Sequence, residues 1–596
     1  MNPLLRRILE RFVTLVLTTA VCNGALAKTG SLHKSGTSNP DFGANVFVFR
    51  PDMAITEIQG KIDAVYKKQE HSEFGEGRYA FLLQPGSYKL NIPVGFYTQV
   101  VGMGATPDAV DVTGNVHADA ALDHNNATTT FWRAVEGFTI HPTSGAVQWA
   151  TSQAVSFRRM HVVGDLVLHQ NHGWASGGWM SDTKVDGTVD SGSQQQWISR
   201  NDEWRRWTGS NWNMVFVGSS VMPEGEWPEP PYTKIERTPL AREKPFLEID
   251  TKGEYSVCVP AMRYDSSGVS WNAGMTPGRS VPIADFYIAH AGMDSAVTIN
   301  KALRGGKNLL LTPGIYDLTE PLQVTRTDAV IIGLGYATLR PVKGTAAMSV
   351  ANVDGVTVSG ILFDAGEVRS GELLQVGSGL SQVRHGQDPV SLHDIFFRVG
   401  GAAVGKTNAN LVINSNDVIV DHTWIWRADH GKGVGWTENE SANGLIVHGS
   451  DVTVYGLFVE HHQKYQVLWD GDRGRTYFYQ SEIPYDPPDQ ASWRSASDKK
   501  GWASYKVADD VKQHHAWGIG VYSVFTYPNV ELSQAIEAPE TLGVRFTHMI
   551  TVALVDKGGI LSVIDGQGGA AVTNPRTTPK VAEFPARYLV DRPQQF

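Results

Sequence analysis

Cysteine is nearly absent from this sequence: its 596 residues contain two, Cys22 and Cys258. Cys22 lies in an N-terminal segment that we predict to be removed on export, which leaves Cys258 alone. An exported chain with one cysteine cannot form an intramolecular disulfide, so its stability must come from packing.

Basic runs and long apolar runs are missing as well. The chain has 61 Asp and Glu against 51 Lys and Arg, for a formal net charge of −10. This acidic balance argues against a nucleic-acid partner. Beyond the N-terminal segment no apolar stretch could span a bilayer, so we expect a soluble protein with no membrane partner.

The N-terminal segment has the pattern of a secretory signal. Three arginines between positions 6 and 11 precede a short apolar run at residues 12–21, and small residues at 25–27 offer a cleavage site. We therefore expect the mature protein to start at Lys28 and to be secreted or periplasmic.

Glycine and tryptophan are plentiful, with 61 and 17 residues, while charged residues make up only 19%. Many turns and many aromatic surfaces are typical of an all-β protein. The chain is too long for one ordinary core unless a repeat architecture spreads the core along its length.

An internal repeat supports that architecture. Residues 79–104 and 308–335 share the same order of apolar strand, Pro-Gly, tyrosine and paired glycines, and each block follows a predicted helix, at residues 55–68 and 295–303. The matched positions are Pro85-Gly86 with Pro313-Gly314, Tyr88 with Tyr316, and Gly102 and Gly104 with Gly333 and Gly335. Short strands punctuated by Gly, Asp and Asn are what stacked coils require.

The repeat predicts an all-β fold of two tandem right-handed parallel β-helices, pectate-lyase-like, with short capping helices. A single long solenoid is the structural alternative. The predicted segments are the signal at 1–27, a first β-helix at 28–222, a proline-rich connector and junction at 223–290, a second β-helix at 291–566 and a loosely ordered tail at 567–596.

Two glutamates are the first candidates for catalysis. Glu460 and Glu482 lie 22 residues apart, each in a strand-like aromatic run. If that spacing is one coil, the two carboxyl groups are stacked ~4.8 Å apart, so one should keep its proton. A retained proton is what a glycosidase needs to protonate a leaving oxygen. Two solvated glutamates on a coil edge are the alternative.

Several polar and aromatic side chains are further candidates, each with a structural alternative. Gln194 and Gln196 lie in a polar run that suits either a sugar or water site or a glutamine ladder between coils. Aromatic residues could stack on sugar rings or simply fill the core. The aromatic candidates are Trp426, Tyr465, Trp469, Tyr479 and Tyr485.

Two motif-like patterns carry no function in our interpretation. Residues 400–407 fit the phosphate-loop pattern, but the residues that follow predict a turn and a strand instead of the helix that such a loop needs. The paired histidines, such as His461 and His462, lack a specific ligand spacing, so we predict no metal site and no cofactor.

With these residues in view, the chain resembles glycoside hydrolase family 55, the dual right-handed β-helix β-1,3-glucanases, in a divergent bacterial branch. The resemblance covers nearly the whole mature chain. It is carried by the repeated P-G-x-Y and G-x-G blocks, by residues 192–201 (G-S-Q-Q-Q-W-I-S-R-N), by D-H-T-W-I-W-R-A-D-H-G from Asp421, by Y-F-Y-Q-S-E-I-P-Y around Glu482, and by residues 517–525 (W-G-I-G-V-Y-S-V-F).

The resemblance implies an inverting mechanism in which Glu482 is the general acid and Glu460 belongs to its proton network. It implies that polar side chains of the first half hold the attacking water, with Gln194, Gln196 and Ser219 as the nearest matches. Near the acid, the predicted water- or substrate-binding residues are Trp426, Gln466, Trp469 and Tyr479. The usual G-D-G-x-T-D-D-T opening is absent, which leaves linkage and chain-end preference open.

We therefore predict a secreted, monomeric glycoside hydrolase that cleaves β-glucan, and the resemblance favours β-1,3 linkages cleaved from chain ends. A polysaccharide lyase is one alternative, although the sequence shows neither a clustered Asp set for calcium nor a basic patch. A non-catalytic glycan-binding β-helix is the other, and it would need no carboxyl pair.

Overall fold

The computed structural model describes residues 39–586, and these are nearly all β-structure. The predicted N-terminal signal lies outside the described residues. The two predicted helices are confirmed as α1, Ile55–Gln69, and α2, Ala296–Arg304. Short 3-10 turns occur at Pro107–Ala109, Asp123–Asn125 and Ile283–Asp285. In α2 the Ser295 side chain accepts from the Thr298 amide, which satisfies one of the free donors at a helix start.

The first half folds into two parallel sheets, so that each turn of the chain adds a strand to both. Sheet 1 has nine strands: Val46–Phe49, Tyr79–Leu83, Thr98–Gly102, Arg133–Glu136, Val155–Arg158, Trp179–Ser181, Gln196–Arg200, Asn213–Val217 and Tyr232–Ile235. Sheet 2 has eight: Gly86–Pro93, Val110–Ala118, Thr139–Pro142, Ala146–Trp149, His161–Val162, Asp165–Val167, Lys184–Asp190 and Glu203–Thr208.

The second half repeats this plan with longer strands. Sheet 3 has twelve strands: Phe286–Ala289, Asn308–Leu311, Ile315–Leu318, Val330–Pro341, Thr357–Asp364, Ser391–Val399, Ile419–Arg427, Thr453–Glu460, Gly474–Glu482, His514–Ser523, Val544–Ala553 and Lys580–Phe584. Sheet 4 has eight: Leu322–Val324, Met348–Val350, Ser370–Val376, Thr407–Ile413, Ser441–Val447, Val467–Trp469, Tyr505–Val507 and Ile536–Glu537. The predicted all-β parallel architecture is confirmed.

The remaining strands pair within the junction and the outer turns. They are Thr238–Arg242 with Met262–Ser266, Phe246–Ile249 with Tyr255–Pro260 and Gly278–Pro282, Arg494–Ala496 with Lys499–Lys500, Val530–Leu532 with Gly558–Ile560, and Val572–Thr573 with Arg576–Thr577. The pairs inside the junction, residues 238–282, are antiparallel.

Two segment predictions need correction. The connector was predicted to start at 223, yet Tyr232–Ile235 still adds a parallel strand to sheet 1. The tail was predicted to be loosely ordered, but Lys580–Phe584 pairs antiparallel with Val544–Ala553. In both places strand pairing at a sheet edge orders a segment whose proline content alone indicated a loop.

The two halves pack sheet 1 against sheet 3, and this contact carries both apolar and charged groups. Apolar rings from both halves meet there, among them Trp132, Trp179 and Trp424. Arg158 donates to Asp394 and Asp421 across the interface. Each half also has an interior apolar core of its own, so the interface is a third layer of packing.

Candidate active site

Glu460 and Glu482 end two neighbouring strands of sheet 3, Thr453–Glu460 and Gly474–Glu482. The two glutamates are direct register partners in the parallel pairing. Neighbouring strands lie ~4.8 Å apart. The predicted stacking of these residues on adjacent coils is confirmed, while their catalytic role stays a prediction.

The glutamate pair belongs to a column of side chains that crosses sheet 3 near the C-terminal ends of its strands. Successive strands place one residue each in the same register position, so the column runs across the coils. Its members are Asp364, Arg398, Trp426, Glu460, Glu482 and Tyr522.

Glu460 is buried, with 3% of its surface exposed. Its Oε1 accepts a hydrogen bond of 2.7 Å from Gln153 of the first half, and its Oε2 accepts one of 2.9 Å from the indole of Trp424. Burial raises the pKa of Glu460 to about 7, and the charge of Asp429 adds to the rise. Glu460 is therefore positioned by both halves of the chain.

Glu482 is half-buried beside it. Its Oε2 accepts from the hydroxyl of Tyr485, and Gln480 Nε2 lies 3.4 Å from its Oε1. Burial raises the pKa of Glu482 well above its ordinary value, and the charges of Glu460 and Asp429 raise it further. The sequence predicted the like-charge contribution; burial, the larger cause, required the tertiary structure.

The side chains of Trp426, Phe74 and His430 pack together as a wall on one side of the glutamate pair, at the coil that precedes Glu460. Trp426, the register neighbour of Glu460, stacks against Phe74 of the first half with ring centroids 6.1 Å apart. His430 Nε2 lies 2.7 Å from Glu73 Oε1. Trp426 is only 1% exposed, so the prediction that its face is open to a sugar ring is wrong.

The two glutamines predicted in the first half have different surroundings. Gln194 donates to the carbonyls of Thr151 and Leu168 and accepts from the Gly177 amide. Its side chain therefore links neighbouring coils, which is the structural alternative given above to a sugar or water site. Gln196 donates to the Ser176 carbonyl, while its buried Oε1 has no protein partner among residues 39–586.

Ser219 lies away from the pair. It follows the C-terminal end of the strand Asn213–Val217, whereas Gln196 lies at the N-terminal end of its strand. Strands of sheets 1 and 3 run in opposite directions across the interface. Gln153, just before its strand, contacts Glu460 at a strand end, whereas Arg158, at the end of that same strand, contacts Asp394 and Asp421 near the starts of theirs. The predicted role of Ser219 at this site is therefore wrong.

Three other predicted binding residues face the interior of the second half. Trp469 and Tyr479 belong to its apolar core, and Tyr479 bonds Ser504 Oγ at 2.8 Å. The Gln466 side chain hydrogen-bonds to the backbone of its own turn: it accepts from the amide of His462 and donates to the carbonyl of His462. Adjacent strand residues point to opposite faces, so aromatic character alone did not reveal which rings face the site.

Sequence reasoning missed two residues that touch Glu460. Trp424 could have been found, because it lies two positions before Trp426 and so shares its face of the strand. Gln153 gave no signal: it lies outside any strand, and 307 positions separate it from Glu460.

The phosphate-loop pattern leads into the strand Thr407–Ile413, which confirms the predicted turn and strand. Within residues 39–586, no group of three or more His, Cys, Asp or Glu side chains is placed to hold a metal ion. Helices in this part of the chain are too short or too polar to pass through a bilayer.

Comparison with known proteins gives the class that this fold and carboxylate column define. Residues 286–482 match the family model of the LAM55 pectate lyase-like domain. An exo-β-1,3-glucanase of Streptomyces sp. (strain SirexAA-E / ActE) is 45% identical over 548 residues, which cover 91% of this chain and 90% of the relative. The chain therefore belongs to glycoside hydrolase family 55, the family that its motifs resemble.

Solved structures agree with this assignment. The structure of sacteLam55A from Streptomyces sp. SirexAA-E is 45% identical and superposes with a TM-score of 0.89, covering 92% of this chain and 99% of that chain. A glutamate-to-alanine variant of sacteLam55A in complex with glucose superposes with a TM-score of 0.90 over the same shares of both chains.

Proposed function

We propose that this protein is an exported glycoside hydrolase that cleaves β-1,3-glucan from chain ends with inversion. The observation that carries the proposal is the register pairing of Glu460 and Glu482, with a raised pKa for both carboxyl groups. Its identity to an exo-β-1,3-glucanase supports the choice of substrate.

In this mechanism Glu482 protonates the glycosidic oxygen, because its raised pKa lets it keep the proton to a higher pH than an ordinary glutamate would. The carboxyls of an inverting pair usually lie ~6.5–9.5 Å apart to leave room for water. Adjacent strands bring Glu460 closer to Glu482 than that. Glu460 is therefore assigned to modulating the acid Glu482, and not to the role of the general base that activates the attacking water.

The attacking water would be held by amide oxygens that face the pair. Three buried glutamine Oε1 atoms have no protein partner in the described part of the chain, those of Gln153, Gln196 and Gln480. Each can accept a hydrogen bond from a water molecule. Gln153 is the best placed of them, because its amide nitrogen already bonds Glu460.

Cleavage from chain ends is supported by the wall of Trp426, Phe74 and His430. A glucan chain that entered the site would meet this wall one coil beyond Glu460. An enzyme that cuts within chains needs a cleft that is open on both sides of the acid. The closed side therefore favours release of short products from an end.

An activity assay on three polysaccharides tests the proposal against its alternatives. We expect reducing sugar from laminarin, and none from polygalacturonate or alginate. Nuclear magnetic resonance of the fresh product should show the α-anomer, because inversion reverses the β-linkage. Unsaturated products from an acidic glycan would make the protein a lyase, and no product from any of the three would favour the glycan-binding alternative.

Export is a further part of the proposal, and it follows from the basic and apolar pattern of residues 1–27. We expect the extracytoplasmic protein to begin at Lys28. Edman sequencing or intact mass of the protein from the medium or periplasm checks this. Recovery of a chain that retains Met1 from either fraction would contradict it.

A further inference from the structure

A row of titratable side chains runs from the glutamate pair to the first half of the chain. His461 Nε2 lies 4.0 Å from Glu460 Oε2 and 3.9 Å from Asp429 Oδ1. Asp429 Oδ1 is 3.0 Å from His430 Nδ1, and His430 Nε2 is 2.7 Å from Glu73 Oε1. Asp429 is thus a third carboxylate near the pair.

His461, between Asp429 and Glu460, is neutral. Its Nδ1 lies 3.2 Å from the Ile483 carbonyl oxygen, which can only accept, so Nδ1 carries the hydrogen. Burial lowers the pKa of His461, which leaves Nε2 unprotonated toward the two carboxylates. A neutral ring does not cancel the charge of Asp429, so that charge acts on Glu460.

His430, on the other side of Asp429, is a cation. Both of its ring nitrogens bond carboxylates, Asp429 and Glu73, which an imidazolium satisfies and a neutral ring does not. Burial opposes the charge, but the hydrogen bonds with these carboxylates raise the pKa of His430 to about 10. Likewise, although burial acts in the other direction, the hydrogen bond and the charge of His430 hold the pKa of Asp429 below its ordinary value.

We propose that Asp429 is a positioning residue for the acid. It is an ionised carboxylate that keeps the transferable proton on the Glu460–Glu482 pair, and it is held by His430, which Glu73 holds in turn. This inference rests on the proposed role of Glu482 as the acid. It assigns a function to the contact between the loop at Glu73 in the first half and the loop at Asp429 in the second.

Other charged and titratable groups face the pair, and none of them replaces Asp429. Asp486 is neutralised by Arg427, at 2.7 Å. The phenol of Tyr522, the register neighbour of Glu482, keeps its proton because burial raises its pKa. Among residues 39–586, the hydrogen-bond partners of the two glutamates are Tyr485, which donates to Glu482, and the uncharged Gln153, Gln480 and Trp424.

Two substitutions that change the charge on the two sides of the same hydrogen bond test this inference, because they should act in opposite directions. Asp429→Asn removes a negative charge, so the pair should release its proton sooner and the alkaline limb of the pH–rate profile should move to lower pH. His430→Gln removes a positive charge and leaves Asp429 ionised, so the limb should move to higher pH. We expect each shift to be at least about half a pH unit, as charges at this range produce.

The measurement is kcat/KM on laminarin as a function of pH for the full-length wild type and both variants. If the contact were merely structural, the two substitutions would lower the rate equally at every pH, or they would move the alkaline limb in the same direction in both variants. Either result would overturn the inference. If Asp429→Asn does not fold, His430→Gln decides alone: an upward shift supports the inference and an unmoved limb refutes it.

Measuring Glu482→Gln beside these variants separates this inference from the proposed function. If Glu482→Gln retains its turnover, the acid assignment is wrong and the inference falls with it. If Glu482→Gln loses turnover while the alkaline limb of Asp429→Asn stays in place, the proposed function stands and only the role of Asp429 is refuted.

Discussion

Glu482→Gln is expected to yield a folded protein that still binds glucan but has lost most of its turnover. Glutamine keeps the shape of the side chain and can still accept from Tyr485 after small adjustment, but it has no proton to give to the glycosidic oxygen. General acid catalysis typically contributes ~10²–10⁴-fold, so we expect kcat on laminarin to fall by that factor.

The measurement is steady-state kinetics on laminarin together with glucan binding by calorimetry. Glu372→Gln is the matched control, because Glu372 lies in a strand of sheet 4 outside the site and undergoes the same chemical change. A Glu482→Gln variant whose kcat falls by less than about tenfold would exclude this residue as the acid. Lost binding together with lost turnover would point to misfolding, which thermal unfolding would reveal.

Arg200→Ala is expected to have the largest effect on stability. Arg200 is fully buried between the halves, where it donates to both carboxylate oxygens of Glu243, at 2.9 and 2.7 Å, and to Asp421 Oδ1 at 2.9 Å. Its removal leaves two buried carboxylates without that partner. Breaking a buried ion pair in this way typically costs ~3–5 kcal/mol.

Urea unfolding followed by tryptophan fluorescence measures this loss. Arg50→Ala is the control, because the Arg50–Asp52 pair is solvent-exposed on both sides, at 55% and 73%. Exposed ion pairs add little to stability, so that variant should unfold at the midpoint of the wild type. An Arg200→Ala variant with an unchanged midpoint would mean that the charges between the halves contribute nothing to holding them together.

The sequence predicted the features that depend on residues near one another in the chain. Coil length and strand alternation are local properties, so a spacing of 22 residues was enough to stack Glu460 on Glu482. The helices at Ile55–Gln69 and Ala296–Arg304 followed from local pattern in the same way.

The predictions that were wrong concern orientation. Trp469 and Tyr479 lie close to the glutamates in sequence, yet both face the interior, and Trp426 is covered by Phe74. Trp426 and Tyr479 lie in strands of sheet 3, which are buried on both faces, one against their own core and one against the other half. Trp469 lies in the sheet 4 strand Val467–Trp469, where it is one of the inward-facing residues. A strand buried on both faces has apolar side chains on both, so its pattern does not tell one face from the other.

The sequence by itself determined the coils, their register and therefore the stacked carboxyl pair, because those follow from short-range spacing. Only the tertiary structure decided what surrounds the pair. Gln153 and Glu460 are separated by 307 positions, and Glu73 and His430 by 357. These contacts exist because sheet 1 packs on sheet 3, and which coils then face each other depends on the whole interface and on no local pattern.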